Sequence, residues 1–493
     1  MEIPKEVKSI LEKLQEGGFE AYIVGGCVRD LLLDKEPKDW DITTKAKPEE
    51  IQKIFSSFAE ATEDKPATFY ENRFGTVGVK TGSEEENLRV VEITTYRVES
   101  KYTDKRHPDE VKFAENLEED LKRRDFTVNA LALQLSSGKA IEIIDLFGGQ
   151  KDLEDKVIQA VGNPEERFNE DALRMLRAVR FAVQLGFSIE SETFKAIQKN
   201  SGWLEAIAKE RIKDEFGKII MSVNPDKGVE LLREAGLLKY IIPELEIGVG
   251  VSQDRHHIYS VYEHNLMSLK FAGQKKYNLV VRLAALLHDV GKPQTKVIRE
   301  GVATFYNHEM ESAKIAMRIL DRLRFPREII ERVVNLVRCH MFVYDVGVVT
   351  AAAIRRLLVK AGPENMEDLI ALRVADRLGS GVPKAQPYRL RHFQYMVERV
   401  QHDPISVKML KINGSDIMEN LGVEPGPVIG AILDVLLAEV IEEPELNNKE
   451  YLEKRVKELA KMDLAKLRDM AKERIEEKRE EEDKAIKSRH WVK

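Results

Sequence analysis

The sequence predicts an α+β fold: a mixed strand-and-helix head followed by helical modules to the end of the chain. Three observations carry this. Over the first ~145 residues, short strand-like stretches (Glu20 to Val24, Trp40 to Thr44, Gly75 to Lys80, Arg89 to Tyr96) alternate with helical ones. From Asn163 to about Ser222 the apolar spacing becomes helical, with Gly186 as a stop and Asn200-Ser201-Gly202 as a break, and helices continue beyond. Finally, 493 residues exceed one hydrophobic core and suit roughly three to four domains.

Composition narrows the function. With 78 Lys and Arg against 85 Asp and Glu, the net charge of −7 argues against a general nucleic-acid coat protein. RNA binding must therefore be local, and basic clusters occur at Lys122-Arg123-Arg124, at Arg174, Arg177 and Arg180, and at Lys209, Arg211 and Lys213. The longest apolar runs, such as 283–287, fall far short of the roughly 18 to 20 residues of a membrane span. The charged N-terminus lacks the apolar stretch of a signal peptide, and two cysteines, Cys27 and Cys339, are too few for a disulfide framework. A cytoplasmic protein is expected.

In the head, Ala21-Tyr-Ile-Val-Gly25-Gly26-Cys27-Val28-Arg29-Asp30 reads as strand, glycine turn and helix start. Paired glycines let the backbone approach a ligand, free N–H groups at the helix start suit a triphosphate, and Arg29 adds a charged fork. Thirteen residues after Gly26 comes Asp39-Trp40-Asp41. On a strand, positions i and i+2 share a face, so both carboxylates project together while Trp40 packs behind them. Two such carboxylates are costly without a cation between them, and Mg²⁺, which favours oxygen ligands and phosphates, suits the place. Glu92, on the later strand Val91-Glu92-Ile93, reads equally as a third member of that face and as an edge-strand glutamate. Further on, Arg123-Arg124-Asp125-Phe126-Thr127-Val128-Asn129-Ala130 offers arginines for phosphates, with Asp125 and Asn129 for ribose hydroxyls.

Together with Asp145-Leu-Phe-Gly-Gly149-x-x-Asp152 and Glu170-Asp171-x-x-Arg174, these segments closely resemble the class II tRNA nucleotidyltransferases, the CCA-adding enzymes. The resemblance covers the first ~220 residues, with five motifs in family order. It implies a polymerase-β-like head, catalysis by Asp39 and Asp41 with Mg²⁺, a helical neck, and tRNA, CTP and ATP as partners. It also implies nucleotide contacts from Gly26, Arg29, Arg124, Asp171, Arg174, Arg177 and Arg180.

On one helix, Asp171, Arg174, Arg177 and Arg180 recur every three residues and would form a polar arc opposite Leu176, Val179 and Val183. Cytosine and adenine each present an exocyclic amine beside a ring acceptor. A carboxylate that accepts and a guanidinium that donates match both bases, whereas uracil and guanine would leave groups unpaired at about 1–3 kcal/mol each. Asp171 and Arg174 are thus expected to imitate a template strand. Arg211, Glu215 and Lys218 look like the family's last neck motif.

Downstream, His264, His288-Asp289 and Asp376 follow in an order that resembles the HD phosphohydrolase superfamily, which holds one divalent ion with four such ligands; His308 and His340 could enlarge the site. Imidazole with carboxylate suits a transition metal. The expected organisation is a head (1–145), a neck (146–222), an HD-type domain (223–385), a helical tRNA-binding tail (386–455) and a long, exposed, charged C-terminal helix (456–493). Pro425-Gly426-Pro427 opens a helix in that tail.

Three rivals stay open at this level. A poly(A) polymerase shares the head but usually carries strongly basic extensions. An enzyme that adds only A to tRNA ending in CC is closer, and the charged segment from Ser100 to Lys122, with Arg106-His107-Pro108, resembles the flexible loop of both CCA-adding and A-adding members. An HD hydrolase of nucleotides with a sensing head is the rival of another class.

Overall fold

A computed structural model describes residues 2–56, 68–70, 75–100, 110–135, 141–253, 258–300, 302–381, 387–401, 410–422 and 424–492. It divides into two compact units, Met1–Val337 and Arg338–Lys493, a division that falls inside the expected 223–385 segment.

The first unit begins with helix α1 (Lys5–Glu16), where Val7, Ile10, Leu11 and Leu14 give the i, i+3, i+4, i+7 stripe and all are buried. The head then builds strands β1 (Ala21–Val24), β2 (Asp41–Thr44), β3 (Thr68–Tyr70), β4 (Thr76–Lys80), β5 (Val90–Thr95), β6 (Arg97–Ser100), β7 (Glu110–Phe113), β8 (Leu131–Leu135) and β9 (Ile141–Asp145). Seven of these form one sheet in the order β3-β4-β5-β2-β1-β8-β9. Only β2 and β5 run parallel in it, and Asp41 is the register partner of Glu92. Helices α2 (Gly26–Leu32), α3 (Pro48–Phe55) and α4 (Leu117–Lys122) interleave with the strands, and α5 (Gly149–Glu154) follows. The four strands expected from the sequence are present within a residue or so. β6 pairs with β7, so the part of the Ser100 to Lys122 segment from residue 110 on is a hairpin strand and a helix rather than a loop, while Arg106-His107-Pro108 lies outside the described residues.

The neck holds α6 (Pro164–Glu170), α7 (Leu173–Leu185), α8 (Ser191–Asn200) and α9 (Lys209–Ile220). Gly186 ends α7 with φ +76°, the left-handed conformation a side chain would disfavour, and α8 stops at Asn200 as the sequence suggested. After α10 (Pro225–Glu234), α11 (Leu238–Ile241) and α12 (Pro243–Glu246) come α13 (Val261–Gln274), α14 (Leu279–Leu287), α15 (Lys292–Thr295) and α16 (His308–Arg322). A capping box between Ser260 and Glu263 starts α13.

In the second unit, the helices Gly414–Leu421, Pro427–Glu442 and Lys449–Leu459 enclose a core containing Leu436, Leu452, Val456, Leu459 and Leu467. The expected long C-terminal helix from residue 456 is two helices, because Leu459 and Leu467 both turn into that core and the chain breaks between them; the last helix is Leu464–Arg489. It is not simply exposed either, since Ile486 and Val492 pack with Tyr395. Among the described residues, no helix is long and apolar enough to cross a membrane.

Candidate functional site

The head's chemistry gathers around the turn after β1. Gly25, rather than Gly26, carries the demanding conformation, with φ +81°. A Cβ added there would stand 2.9 Å from Arg124 Nη1 and 3.7 Å from Asp41 Oδ2. The missing side chain is what allows this guanidinium and this carboxylate to close over one turn. Gly26 has ordinary space around it.

Asp41 opens β2, while Asp39 lies two residues earlier, outside the strand and exposed. Trp40 between them is buried, and its carbonyl accepts from the Glu92 N–H at 3.1 Å, which fixes the register that brings Glu92 beside Asp41. Register partners on adjacent strands present side chains to the same face, so a second carboxylate joins Asp41. Burial pushes the neighbouring Cys27 thiol up to about 12, and the charges of Asp41 and Asp39 push the same way. The strand pair is thus Asp41 with Glu92, while Asp39, expected on the same strand face as Asp41, precedes the strand. The donor set is all carboxylate oxygen, which fits a hard divalent cation.

Arg124 is held by Asp120, a residue the sequence reading passed over. Asp120 is fully buried and bridges Arg123 at 2.7 Å, Arg124 at 3.4 Å and the Thr43 hydroxyl at 3.2 Å. Burial alone would raise its carboxyl, but Arg123 and Arg124 outweigh that and hold it below the ordinary carboxylate range. Its spacing of three and four residues from the two arginines on a helix was the available signal.

A second chain of polar contacts joins head to neck. Arg29 donates to Asp30 and, from Nη1, to Asn129 Oδ1 at 2.7 Å; Asn129 Nδ2 donates to Asp125 Oδ1 at 3.3 Å. The other Asp125 oxygen accepts from Arg177 Nε at 2.7 Å and Nη2 at 2.6 Å. Asp125 is buried, yet Arg177 and Arg174 hold its carboxyl below the ordinary value against that burial. In this structure Asp125 and Asn129, expected as ribose ligands, bind Arg177 and Arg29.

The neck departs from the expected single helix. Asp171 is not on α7: it follows α6 with φ −142° and ψ 103°, and its Oδ1 accepts from the Leu173 N–H at 3.1 Å. An aspartate that satisfies an unpaired N–H at a helix start prefers extended backbone to helix, which periodicity alone does not reveal. Its carboxylate also takes a two-point contact from Arg211, at 3.2 and 2.8 Å. Arg174 donates to Glu170 at 2.6 Å and to the carbonyls of Arg167 and Arg123 at 3.2 and 2.9 Å. Arg180 pairs with Glu215 at 3.1 Å, and Glu215 also receives Lys218 at 3.4 Å. Arg174 and Arg180 are largely buried, so the expected polar arc is an inward-facing set of arginines rather than a solvated basic face.

Farther along the same unit, His264 on α13, His288 and Asp289 after α14, and His308 at the start of α16 form a second buried cluster. The Asp289 carboxylate lies 3.3 Å from His264 Nε2, 3.4 Å from His288 Nε2, 3.2 Å from His308 Nε2 and 2.6 Å from Lys292 Nζ. His288 Nδ1 is 2.9 Å from the Ala285 carbonyl and His308 Nδ1 2.8 Å from that of Phe305. A carbonyl only accepts, so each Nδ1 carries a proton and each Nε2 is turned toward the carboxylate. Burial would raise Asp289, but His288 and Lys292 hold it well below the ordinary range. This is a donor set that suits a divalent ion, with Nδ1 of His288 and of His308 anchored as metal-ligating histidines usually are. Asp376, the remaining expected ligand, lies in the second unit on the helix Met366–Gly379 and pairs with Arg373 at 2.7 Å.

The chain matches the model of the "Poly A polymerase head domain" over residues 21–159, that of the "Probable RNA and SrmB- binding site of polymerase A" over 186–247, and that of tRNA nucleotidyltransferase domain 2 over 300–456. It is 37% identical over 469 residues to a CCA-adding enzyme of Ligilactobacillus salivarius, covering 93% of this chain and 98% of that one. The Bacillus stearothermophilus CCA-adding enzyme in complex with CTP superposes with a TM-score of 0.61 at 28% identity, over 94% of this chain and 98% of that one. The Thermotoga maritima CCA-adding enzyme complexed with tRNA shares the fold at 20% identity and a TM-score of 0.51, over 93% and 96%.

Proposed function

Because this chain belongs to the CCA-adding enzyme family, we propose that it extends the 3′ end of tRNA with C, C and A from CTP and ATP, using the residues of its head and neck in the roles that follow. The observation that carries the assignment is the Gly25 turn, where Asp41 and Arg124 meet beside the arginine-lined junction of head and neck.

Asp39 and Asp41, with Glu92 alongside, would hold Mg²⁺, which when bound lowers the cost of deprotonating the attacking 3′ hydroxyl and of the charge on the leaving pyrophosphate. Arg29 and Arg124 grip the triphosphate; Asp120 fixes the position of Arg124. Asp125 and Asn129 set Arg177 and Arg29 relative to each other. Asp171 and Arg174 read the base. The Asp171 carboxylate has about four lone-pair sites, and the contacts with Arg211 and Leu173 use three of them, which leaves one for an exocyclic amine.

The His264, His288 and Asp289 cluster is read as an HD-type metal site acting on phosphate esters, in which Lys292 offsets the charge of Asp289. The residues after 386 are read as the tRNA-binding tail. Cys27 and Cys339 are buried thiols rather than disulfide partners, which suits a cytoplasmic setting. The experiment that tests the whole reading supplies tRNA ending at the discriminator base, at C or at CC, with each labelled nucleotide in turn. Stepwise C, C, then A supports it; addition of A alone, and only to the CC end, favours the A-adding alternative.

A further inference from the structure

Phe181, one residue after Arg180 on α7, stands where three guanidiniums meet. Its ring centroid is 4.3 Å from the Arg180 Cζ, 5.3 Å from that of Arg177 and 5.4 Å from that of Arg29, which comes from the head. Phe126, also of the head, meets the ring edge-on at 5.8 Å and 80°. The ring is largely buried.

Three like charges around one point repel, and each has its own carboxylate: Asp30 for Arg29, Asp125 for Arg177 and Glu215 for Arg180. Those carboxylates lie on three different elements and cannot by themselves set the spacing among the guanidiniums. The shared element is the aromatic face, whose quadrupole attracts a cation where an aliphatic side chain would offer only volume. Arg180 Nε is buried without a hydrogen-bond partner among the described residues, and the ring lies against the same guanidinium.

We propose that Phe181 is a positioning residue for nucleotidyl transfer: its ring holds Arg29 of the head and Arg177 and Arg180 of the neck in one cluster, so that triphosphate and base are gripped at a fixed separation. This rests on the reading that these arginines contact the nucleotide. Phe181 itself touches no reacting atom.

The test compares Phe181→Leu, Phe181→Tyr, pentafluorophenylalanine at position 181, and Arg177→Met, by steady-state kinetics with CTP on tRNA lacking its end and with ATP on tRNA ending in CC. Pentafluorophenylalanine keeps the ring's shape and reverses its quadrupole, so it remains informative if the leucine variant folds poorly. Phe181→Leu and the fluorinated ring should each lower kcat/KM about tenfold for both nucleotides, mainly through KM, while Phe181→Tyr stays within about threefold of wild type. The proposal is overturned if the leucine and fluorinated proteins match wild type while Arg177→Met is impaired, which leaves the nucleotide-contact reading standing. It is also overturned if leucine, tyrosine and fluorinated variants lose activity and melting temperature equally, which would make Phe181 plain packing. Should Arg177→Met itself leave kcat/KM unchanged, the nucleotide-contact reading fails and the proposal with it.

Discussion

Asp125, just after α4 in the head, and Arg177, 52 residues later in the neck, form a two-point ion pair with Arg177 Nε at 2.7 Å and Nη2 at 2.6 Å from one carboxylate oxygen. The pair joins the head to the neck. Its geometry gives the first prediction. Asp125→Ala should destabilise the first unit by about 2–4 kcal/mol, less than a fully buried pair because Arg177 keeps some access to water. The Asp125 carboxyl is held below its ordinary value of about 3.9, so its contribution is present above that value and is lost as pH falls through the folded-state value. Denaturant melts at pH 7 and at successively lower pH check this: the gap between wild type and Asp125→Ala should narrow on acidification, and a gap that widens would contradict the assignment.

Asp39→Ala and Asp41→Ala should each abolish nucleotide addition while leaving folding intact, and chelation with EDTA should do the same to wild type until Mg²⁺ is returned. Labelled CTP on truncated tRNA measures it. Substantial residual addition in both mutants would mean that the carboxylates at the Gly25 turn do not carry the reaction.

Much of this head was legible because its signals are local. The glycines after β1 identify a tight turn and the Asp39-Trp40-Asp41 segment a strand start, although only Asp41 of the two aspartates is on the strand. The pairing of Asp125 with Arg177 was not legible, since only the folded chain brings positions 52 apart together, and an isolated Asp next to Arg124 reads as well for a ribose ligand. The helical break at Asp171 escaped for a different reason: the three-residue recurrence through Arg174, Arg177 and Arg180 is real, and continuing it back by one step is natural until the Leu173 N–H claims the carboxylate. The C-terminal helix was misjudged because its charge suggests solvent, while two leucines eight residues apart, Leu459 and Leu467, decide the packing.

His288→Ala combined with Asp289→Ala should remove metal-dependent phosphohydrolase activity, assayed on a chromogenic phosphodiester and on 2′,3′-cyclic nucleotides with added divalent ions, and leave nucleotide addition unchanged. Parallel loss of both activities would show that the cluster supports the fold of the first unit rather than a separate chemistry.

Binding to tRNA should weaken steeply as salt rises, since Lys and Arg contacts release counterions from the phosphates despite the net charge of −7. Titrations between 50 and 300 mM salt, about the range where such losses reach 10³-fold or more, give the slope. A flat response would exclude a phosphate-gripping surface.

Base choice tests the central claim most directly. Asp171, held by Arg211 and by the Leu173 N–H, is expected to accept from the exocyclic amine of C or A, and Arg174 to donate to the ring nitrogen. The measurement is the ratio of CTP to UTP incorporation on tRNA lacking its end, in wild type, Asp171→Ala and Arg174→Ala. Asp171→Ala should lower that ratio by about 1–3 kcal/mol, roughly five- to 150-fold, whereas Arg174→Ala should depress incorporation of both nucleotides. An unchanged ratio in Asp171→Ala would contradict the account and leave Asp171 as a structural partner of Arg211.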